Sequence, residues 1–479
     1  VTLTVNSVAD LKHEYALAVI GAGPAGLAAA TRAAELGIDT VLFDEQPAPG
    51  GQIYRAIAET PLKNRETLGA DYRHGESLLA PFRASGAAYV PSATVWSVSR
   101  GLEIGVSIDR QARILKARHV ILATGALERP FPIPGWTLPG VMTAGAAQIL
   151  LKSSGLTPSG SVVLAGTGPL LWLLVWQYLR AGAALPLILD TTPVENRGAA
   201  LPHAFGFLAS PYFAKGLRLL AEVRRKATVV SGVTELRAEG DGKLREVVWR
   251  TASGPEERRA ADLLLLHQGV VPNVNLSNSI GCAHRWDETQ LCWRPQVDEW
   301  GASTVDRVSI AGDGAGISGA LAAEHRGRLA ALDAALQLAA IDRAKRDAEA
   351  NRVRAALARA ERGRAFLDTL YRPRREHRIP TGGTLVCRCE EVTAQQIVDT
   401  VALGCTGPNQ LKSFLRCGMG PCQGRLCGLT VTELIAEARG VAPEAVGYYR
   451  LRPPVKPITL AELAALPQDE AALRSVARG

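Results

Sequence analysis

Six of the eight cysteines in this 479-residue chain fall between residues 387 and 427. They run Cys387-Arg-Cys389, then Cys405, then Cys417-Gly-Met-Gly-Pro-Cys422, then Cys427. Soft, anionic thiolates on a glycine-rich backbone that can wrap close to sulfide are what an iron–sulfur cluster needs. A structural zinc site favours Cys-x2-4-Cys knuckles, which the one-residue gap of Cys387 and Cys389 fits poorly. Disulfides belong to short secreted domains, and residues 1–13 carry neither a basic n-region nor an apolar h-region. An iron–sulfur cluster is the expected occupant, with zinc and free structural thiols as the competing readings.

Short helices must hold these thiols. Thr393-Ala-Gln-Gln396 is a capping box, which predicts a helix to Leu403 that stops at Gly404. A second helix is expected from Gln410 to Arg416, capped by Asn409. A third is expected from near Cys422 to Arg439, ended by Gly440. That start would put Cys422 at a helix N-terminus, where the dipole favours thiolate and cluster charge.

A second chemistry lies at the other end of the chain. Tyr15-Ala-Leu-Ala-Val-Ile20 reads as a buried strand running into Gly21-Ala22-Gly23-Pro24-Ala25-Gly26, then an Ala-rich helix closed by Gly37. Val41-Leu-Phe43 is the next strand and ends at Asp44-Glu45-Gln46. Gly21 permits the tight turn, Gly23 admits a pyrophosphate and Gly26 lets helix and strand pack closely. The helix N-terminus then faces phosphate, and Asp44 is placed to hold a ribose hydroxyl. Within strand, turn, helix, strand and acid, this glycine pattern is a strong dinucleotide signal. Gly50-Gly51-Gln52 offers a flexible backbone nearby. Val120-Ile-Leu-Ala123-Thr124-Gly125 and Val308-Ser-Ile-Ala-Gly312-Asp313 are buried strands that end in small-residue turns.

These motifs, in this order over residues 14–335, resemble the flavoproteins with two dinucleotide-binding domains, such as thioredoxin reductase and its relatives. The resemblance implies that the N-terminal fold binds FAD. It implies contacts from Gly21 to Gly26, Asp44 to Gln46, Gly50 to Gln52, Val95 and Ala123 to Gly125, with Gly312 and Asp313 at the ribityl end. It also implies an inserted second domain, and Val162-Val-Leu-Ala-Gly166-Thr-Gly168-Pro-Leu-Leu171 repeats the pattern. There Leu171 stands in place of the third glycine, which narrows the phosphate approach. This second site is expected to be an inherited fold without a nicotinamide, although Asp190 could still hold a ribose. Cys282 and Cys292 form no Cys-x-x-Cys, so a thioredoxin-type disulfide reductase is excluded.

Composition fits a folded enzyme in the cytoplasm, with 47% hydrophobic and 21% charged residues. Glycines interrupt the apolar stretch from Ser161 to Asp190, so no transmembrane segment is expected. The net charge of +8 is concentrated: residues 341–378 hold twelve Lys/Arg against six Asp/Glu. This segment is either a solvated helix and linker or a docking surface for an acidic partner chain. No aromatic interleaving accompanies it, so nucleic acid is not expected. The basic segment and the tail from Tyr448 have too little apolar periodicity to build a core, and both are expected to pack against other chains.

The Cys-x-Cys…Cys arrangement on small helices resembles the bacterioferritin-associated-ferredoxin type of [2Fe–2S] domain. That family usually ends in Cys-x2-Cys, whereas four residues separate Cys417 and Cys422 here. The resemblance implies Cys387, Cys389, Cys417 and Cys422 as iron ligands, with Cys427 and Cys405 as alternatives for the fourth place. In full length the chain resembles the A (alpha) subunits of octopine and nopaline oxidases, hydrogen cyanide synthase and hydroxyproline dehydrogenase, and part of the alpha subunit of sarcosine oxidase. Gly50-Gly-Gln-Ile-Tyr-Arg55, Ala126-Leu-Glu-Arg-Pro130 and Cys417-Gly-Met-Gly-Pro-Cys-Gln-Gly424 carry that likeness.

The likeness implies an α/β architecture. An FAD domain spans 14–130 and 295–340, and a degenerate second Rossmann-like domain at 131–294 is inserted into it. A basic helix and linker follow at 341–379, then a helical [2Fe–2S] domain at 380–440 and a tail at 441–479. It further implies that amine oxidation occurs on an amino-acid-oxidase-like flavoprotein subunit (beta or B). A small ferredoxin-like subunit, plus an FMN between chains, would be further components. Electrons would then leave through this chain to an acceptor other than NAD. The rival readings are a stand-alone NAD(P)H-dependent flavin reductase and a non-catalytic nucleotide-binding scaffold.

Overall fold

In the computed structural model, residues 2–62, 64–183 and 187–466 are described; the tail beyond 466 lies outside them. The first nucleotide fold is an eight-stranded sheet. Its centre is the strand Glu14–Ile20, paired in parallel with Thr40–Phe43 on one side and Gln111–Leu122 on the other. The late strand Val308–Ile310 joins the same sheet, with Val308 opposite Val120. Residues far apart in sequence therefore complete one parallel core, as unbroken apolar strands buried on both faces require. Glycine sets the distance between the two helices over this sheet. A Cβ at Gly327, in the helix Ala320–Gln337, would come within 2.1 Å of Ala25 O in the helix Pro24–Glu35.

The second fold is a five-stranded parallel sheet. Its order is Thr228–Ser231, Leu187–Asp190, Val162–Thr167, Leu263–Gln268 and Val141–Thr143. A separate three-stranded antiparallel sheet, Val233–Glu239, Glu246–Thr251 and Glu256–Ala260, shares an apolar core with it. The two folds are joined by an antiparallel pair, Ala126–Glu128 with Val270–Pro272.

The cysteine domain has its own core of Ile379, Val386, Ile397, Leu411, Val431, Leu434 and Ile435, closed by the fully buried Tyr449. The capping box at Thr393 and Gln396 forms as expected and opens the helix Ala394–Ala402.

Two helix starts differ from expectation. The second helix is Pro408–Leu415 with Gly407 as its N-cap. Pro408 suits the first helical position, and the Asn409 side chain is drawn away to Tyr448 O and Arg450 N. The third helix is Gly428–Arg439, and Cys427, not Cys422, is its N-cap. Residues 418–424 turn instead, with positive φ at Gly418, Gln423 and Gly424.

Within the chain itself, the basic segment and the tail as far as residue 466 both find partners. Arg346 and Arg354 of the helix Arg343–Glu361 lie 4.0 and 4.2 Å from the centre of the Trp300 ring. Arg346 also pairs with Asp333, Arg372 with Glu288, Arg375 with Glu437 and Arg378 with Glu433. In the tail, Tyr449 is buried among the cysteines, Val455 N donates to Trp96 O and Lys456 pairs with Glu45. Among the described residues no helix is long and apolar enough to cross a membrane.

Candidate functional site

At the first glycine turn, a Cβ at Gly26 would lie 1.8 Å from Gly21 O, so only glycine lets the helix sit this close to the strand. At Gly23 the same construction meets only Gly51 Cα, at 3.9 Å, which leaves the turn open where a pyrophosphate must approach. Gly50 N donates to Ala22 O and docks the Gly50-Gly51-Gln52 loop against the turn. Asp44 is buried; its carboxylate accepts from Ala22 N and Gln46 N. Burial raises its pKa, and the two backbone donors oppose that rise. Each carboxylate oxygen keeps a further lone-pair site for a ribose hydroxyl. Glu45 faces Lys456 instead.

The remaining residues expected at this site have the following surroundings. Ala123 backs Gly21, and Gly314 lies 3.5 Å, as a built Cβ, from Gly125. Thr124 Oγ1 donates to Asn273 O, and Asn273 N to Gly125 O. Gly312 packs on Ala25, while Asp313 Oδ1 accepts from Ser318 N and Gly319 N at the start of the following helix. Val95 is buried in the strand Thr94–Val98, two residues after Ala93, whose N donates to Asp44 O.

Two further groups, Lys152 and the Glu128 of the Ala126–Pro130 phrase, take their roles from partners far away in the chain. Lys152 is buried, and its Nζ donates to Gln52 O, Ile53 O and Gln148 Oε1. Burial and the nearby Arg55 charge pull its pKa down to about 7. Glu128 accepts from Gly145 N and pairs with His267 Nδ1, the latter at 2.6 Å.

The cysteines separate into two groups. Cys387, Cys417 and Cys427 are buried, with sulfurs within 4.8 Å of one another. Hydrogen bonds from the Cys417 and Cys427 thiols, against the cost of burial, hold the Cys387 pKa down to about 2. Cys389 and Cys422 are half-buried and neighbour each other; burial raises the Cys389 pKa, the Cys422 backbone N–H opposes the rise and the Cys422 thiol adds to it. Of the four residues expected to bind iron, Cys387 and Cys417 therefore share one group, and Cys389 and Cys422 the other. Cys427 joins the first. Cys405 instead donates to Gly407 O. Cys282 and Cys292 are buried elsewhere, and burial pushes Cys292 up to about 12.

Tyrosines of the tail seal the buried group. A Cβ at Gly418 would lie 2.4 Å from the Tyr449 ring, and one at Gly428 2.5 Å from Tyr448 Oη. The cysteine loop is also tied to the nucleotide fold. Asn275 Nδ2 donates to Gln423 O, and Asn275 follows closely on the Asn273 that bonds Gly125.

Residues 15–337 match the family described as pyridine nucleotide-disulphide oxidoreductase, and residues 381–466 the sarcosine oxidase A3 domain. The chain is 49% identical to the A subunit of opine oxidase from Agrobacterium tumefaciens (strain Ach5), over 99% of this chain and 96% of that one. It is 33% identical to the HcnB subunit of hydrogen cyanide synthase from Pseudomonas aeruginosa, over 92% and 96% respectively. L-proline dehydrogenase from P. horikoshii shares the fold with a TM-score of 0.66 at 17% identity, covering 96% of this chain and 80% of that one.

Proposed function

Because the chain belongs to the opine oxidase A-subunit group of the pyridine nucleotide-disulphide oxidoreductase family, we propose that it is the electron-transfer subunit of an opine-type amine dehydrogenase. It is an oxidoreductase that acts as one subunit of a complex. In this reading an amino-acid-oxidase-like partner oxidises the amine, and the chain holds FAD and a [2Fe–2S] cluster and serves an acceptor other than NAD. A cytoplasmic location, an FMN between chains and a small ferredoxin-like subunit belong to the same proposal. The observation that carries it is the short connection from the open glycine turn, through Gly125, Asn273 and Asn275, to the cysteine loop at Gln423.

A flavin accepts two electrons and releases them singly, which suits a one-electron cluster. The residues present fit both groups. Gly21, Gly23 and Gly26 would cradle the pyrophosphate, Asp44 the ribose, and Gly312 with Asp313 the ribityl end. A binuclear cluster needs two ligand pairs. We assign Cys389 with Cys422 to one iron and Cys387 with Cys427 to the other. Cys427 caps a 12-residue helix whose dipole favours negative charge, whereas Cys417 is held against Tyr449. Tyr448 and Tyr449 exclude water from the buried pair.

The test is chemical. The chain should release one FAD on denaturation and contain two irons and two acid-labile sulfides when purified without air. Cys387→Ser, Cys389→Ser, Cys422→Ser or Cys427→Ser should remove the iron, and Cys417→Ser should keep it. Zinc without sulfide would end the electron-transfer reading. Amine dehydrogenase activity in the lone chain would end the division of labour between the subunits.

A further inference from the structure

The charge of residues 341–378 is largely paired inside the molecule, yet three cations beside the cysteines are not. Lys412, Arg450 and Arg452 line a groove of ≈ 360 Å³, with Asn409 and Gln423 as its other polar side chains and Met419 as its apolar one. No carboxylate lines it, and among the described residues none of the three cations forms an ion pair. Their positions are held. Lys412 Nζ donates to Arg450 O and lies 4.8 Å from the centre of the Tyr449 ring. Asn409 bonds both Tyr448 O and Arg450 N, fixing the tail along the helix Pro408–Leu415. Exposed Met419 supplies apolar surface beside the charge. Gly418, Met419 and Gln423 belong to the segment that carries Cys417 and Cys422.

We propose that this groove docks a carboxylate-rich one-electron carrier protein, which seats its acidic patch on Lys412, Arg450 and Arg452 against the cysteine loop. Unpaired, pre-positioned cations of one sign steer an acidic partner and set its orientation, and a small apolar centre with a polar rim is the usual anatomy of such a contact. The choice of a redox protein rests on the cluster reading given above; the charge complementarity does not.

The two can be told apart in one set of samples. The full chain is titrated with an acidic plant-type ferredoxin by calorimetry at low and high salt. Binding should weaken about tenfold or more in Arg450→Glu/Arg452→Glu and on adding salt. The control Arg343→Glu/Lys345→Glu, which makes the same charge change elsewhere, should bind as the parent does. Equal weakening in the two double variants would overturn the groove as the site, as would unchanged affinity in the first. Saturable binding of FMN there, lost in Arg450→Glu/Arg452→Glu and without ferredoxin binding, would replace the protein partner by a small anion. Salt-sensitive self-association through the same residues, measured by sedimentation, would replace it by a second copy. Iron and sulfide are assayed in the same protein: their absence overturns the cluster reading, while the binding result still decides the surface.

Discussion

The two glycine turns share one plan, strand into turn into helix, and matching buried acids, Asp44 and Asp190, that each accept from the backbone two residues on, yet their glycine positions differ where a phosphate would approach. In the first, the third glycine sits 1.8 Å, as a built Cβ, from Gly21 O; in the second, Leu171 occupies that place and is fully buried. The middle glycine tells the same story. Gly23 faces open space, whereas a Cβ at Gly168 would lie 3.2 Å from His267 Nε2. His267 is itself held by Glu128, which bonds Gly145 N in the first turn of the helix Ala144–Ser154. A turn of this kind binds phosphate only if the space before it stays free, and in the second fold the His267 side chain lies against the middle glycine. A glycine pattern thus specifies a turn, while residues from distant parts of the chain determine whether the turn is used.

The largest effect should come from giving the first turn the residue of the second. Gly26→Leu places a side chain against the backbone of Gly21, which cannot yield as a flexible side chain would. No folded flavoprotein should be recovered, as judged by soluble yield and flavin absorbance. Recovery of normal flavin content would show that the close packing at Gly26 is dispensable. Gly23→Val is the gentler change, because the space there is open. The protein should fold with an unchanged far-UV spectrum but retain flavin about tenfold less well, since the branched side chain fills the phosphate approach. Full flavin occupancy in that variant would mean the pyrophosphate lies elsewhere.

The first turn is legible in sequence because all its determinants are local: strand, glycines, helix and acid lie within residues 15–44. The second can be read only as far as Leu171, since His267 and Glu128 reach it through the fold. The cysteine domain divides in the same way. The capping box at Thr393 is local and forms as its residues predict. The start of the last helix is not local, because the Tyr449 ring packs against Gly418 and Gly424 and favours a turn before Cys427. The basic helix reads as partnerless for a related reason. Its aromatic contact is Trp300, and most of the ion-pair partners of its segment lie outside that segment.

The smallest effect on flavin should come from the reciprocal change, Leu171→Gly. Removing a fully buried leucine costs about 2–5 kcal/mol, because the surroundings close only partly over the cavity, and a glycine inside a helix adds about 1 kcal/mol. Thermal unfolding should therefore occur at lower temperature while the first fold keeps its flavin. The informative measurement is mixing with NADH. Neither the parent nor the variant should show saturable bleaching of the flavin, because His267, bonded to Glu128, still stands at Gly168. If Leu171→Gly alone confers rapid reduction by NADH, the leucine was the whole barrier and the histidine is incidental. If the parent is already reduced, the second turn is a working nicotinamide site, and the contrast between the two turns is one of degree only.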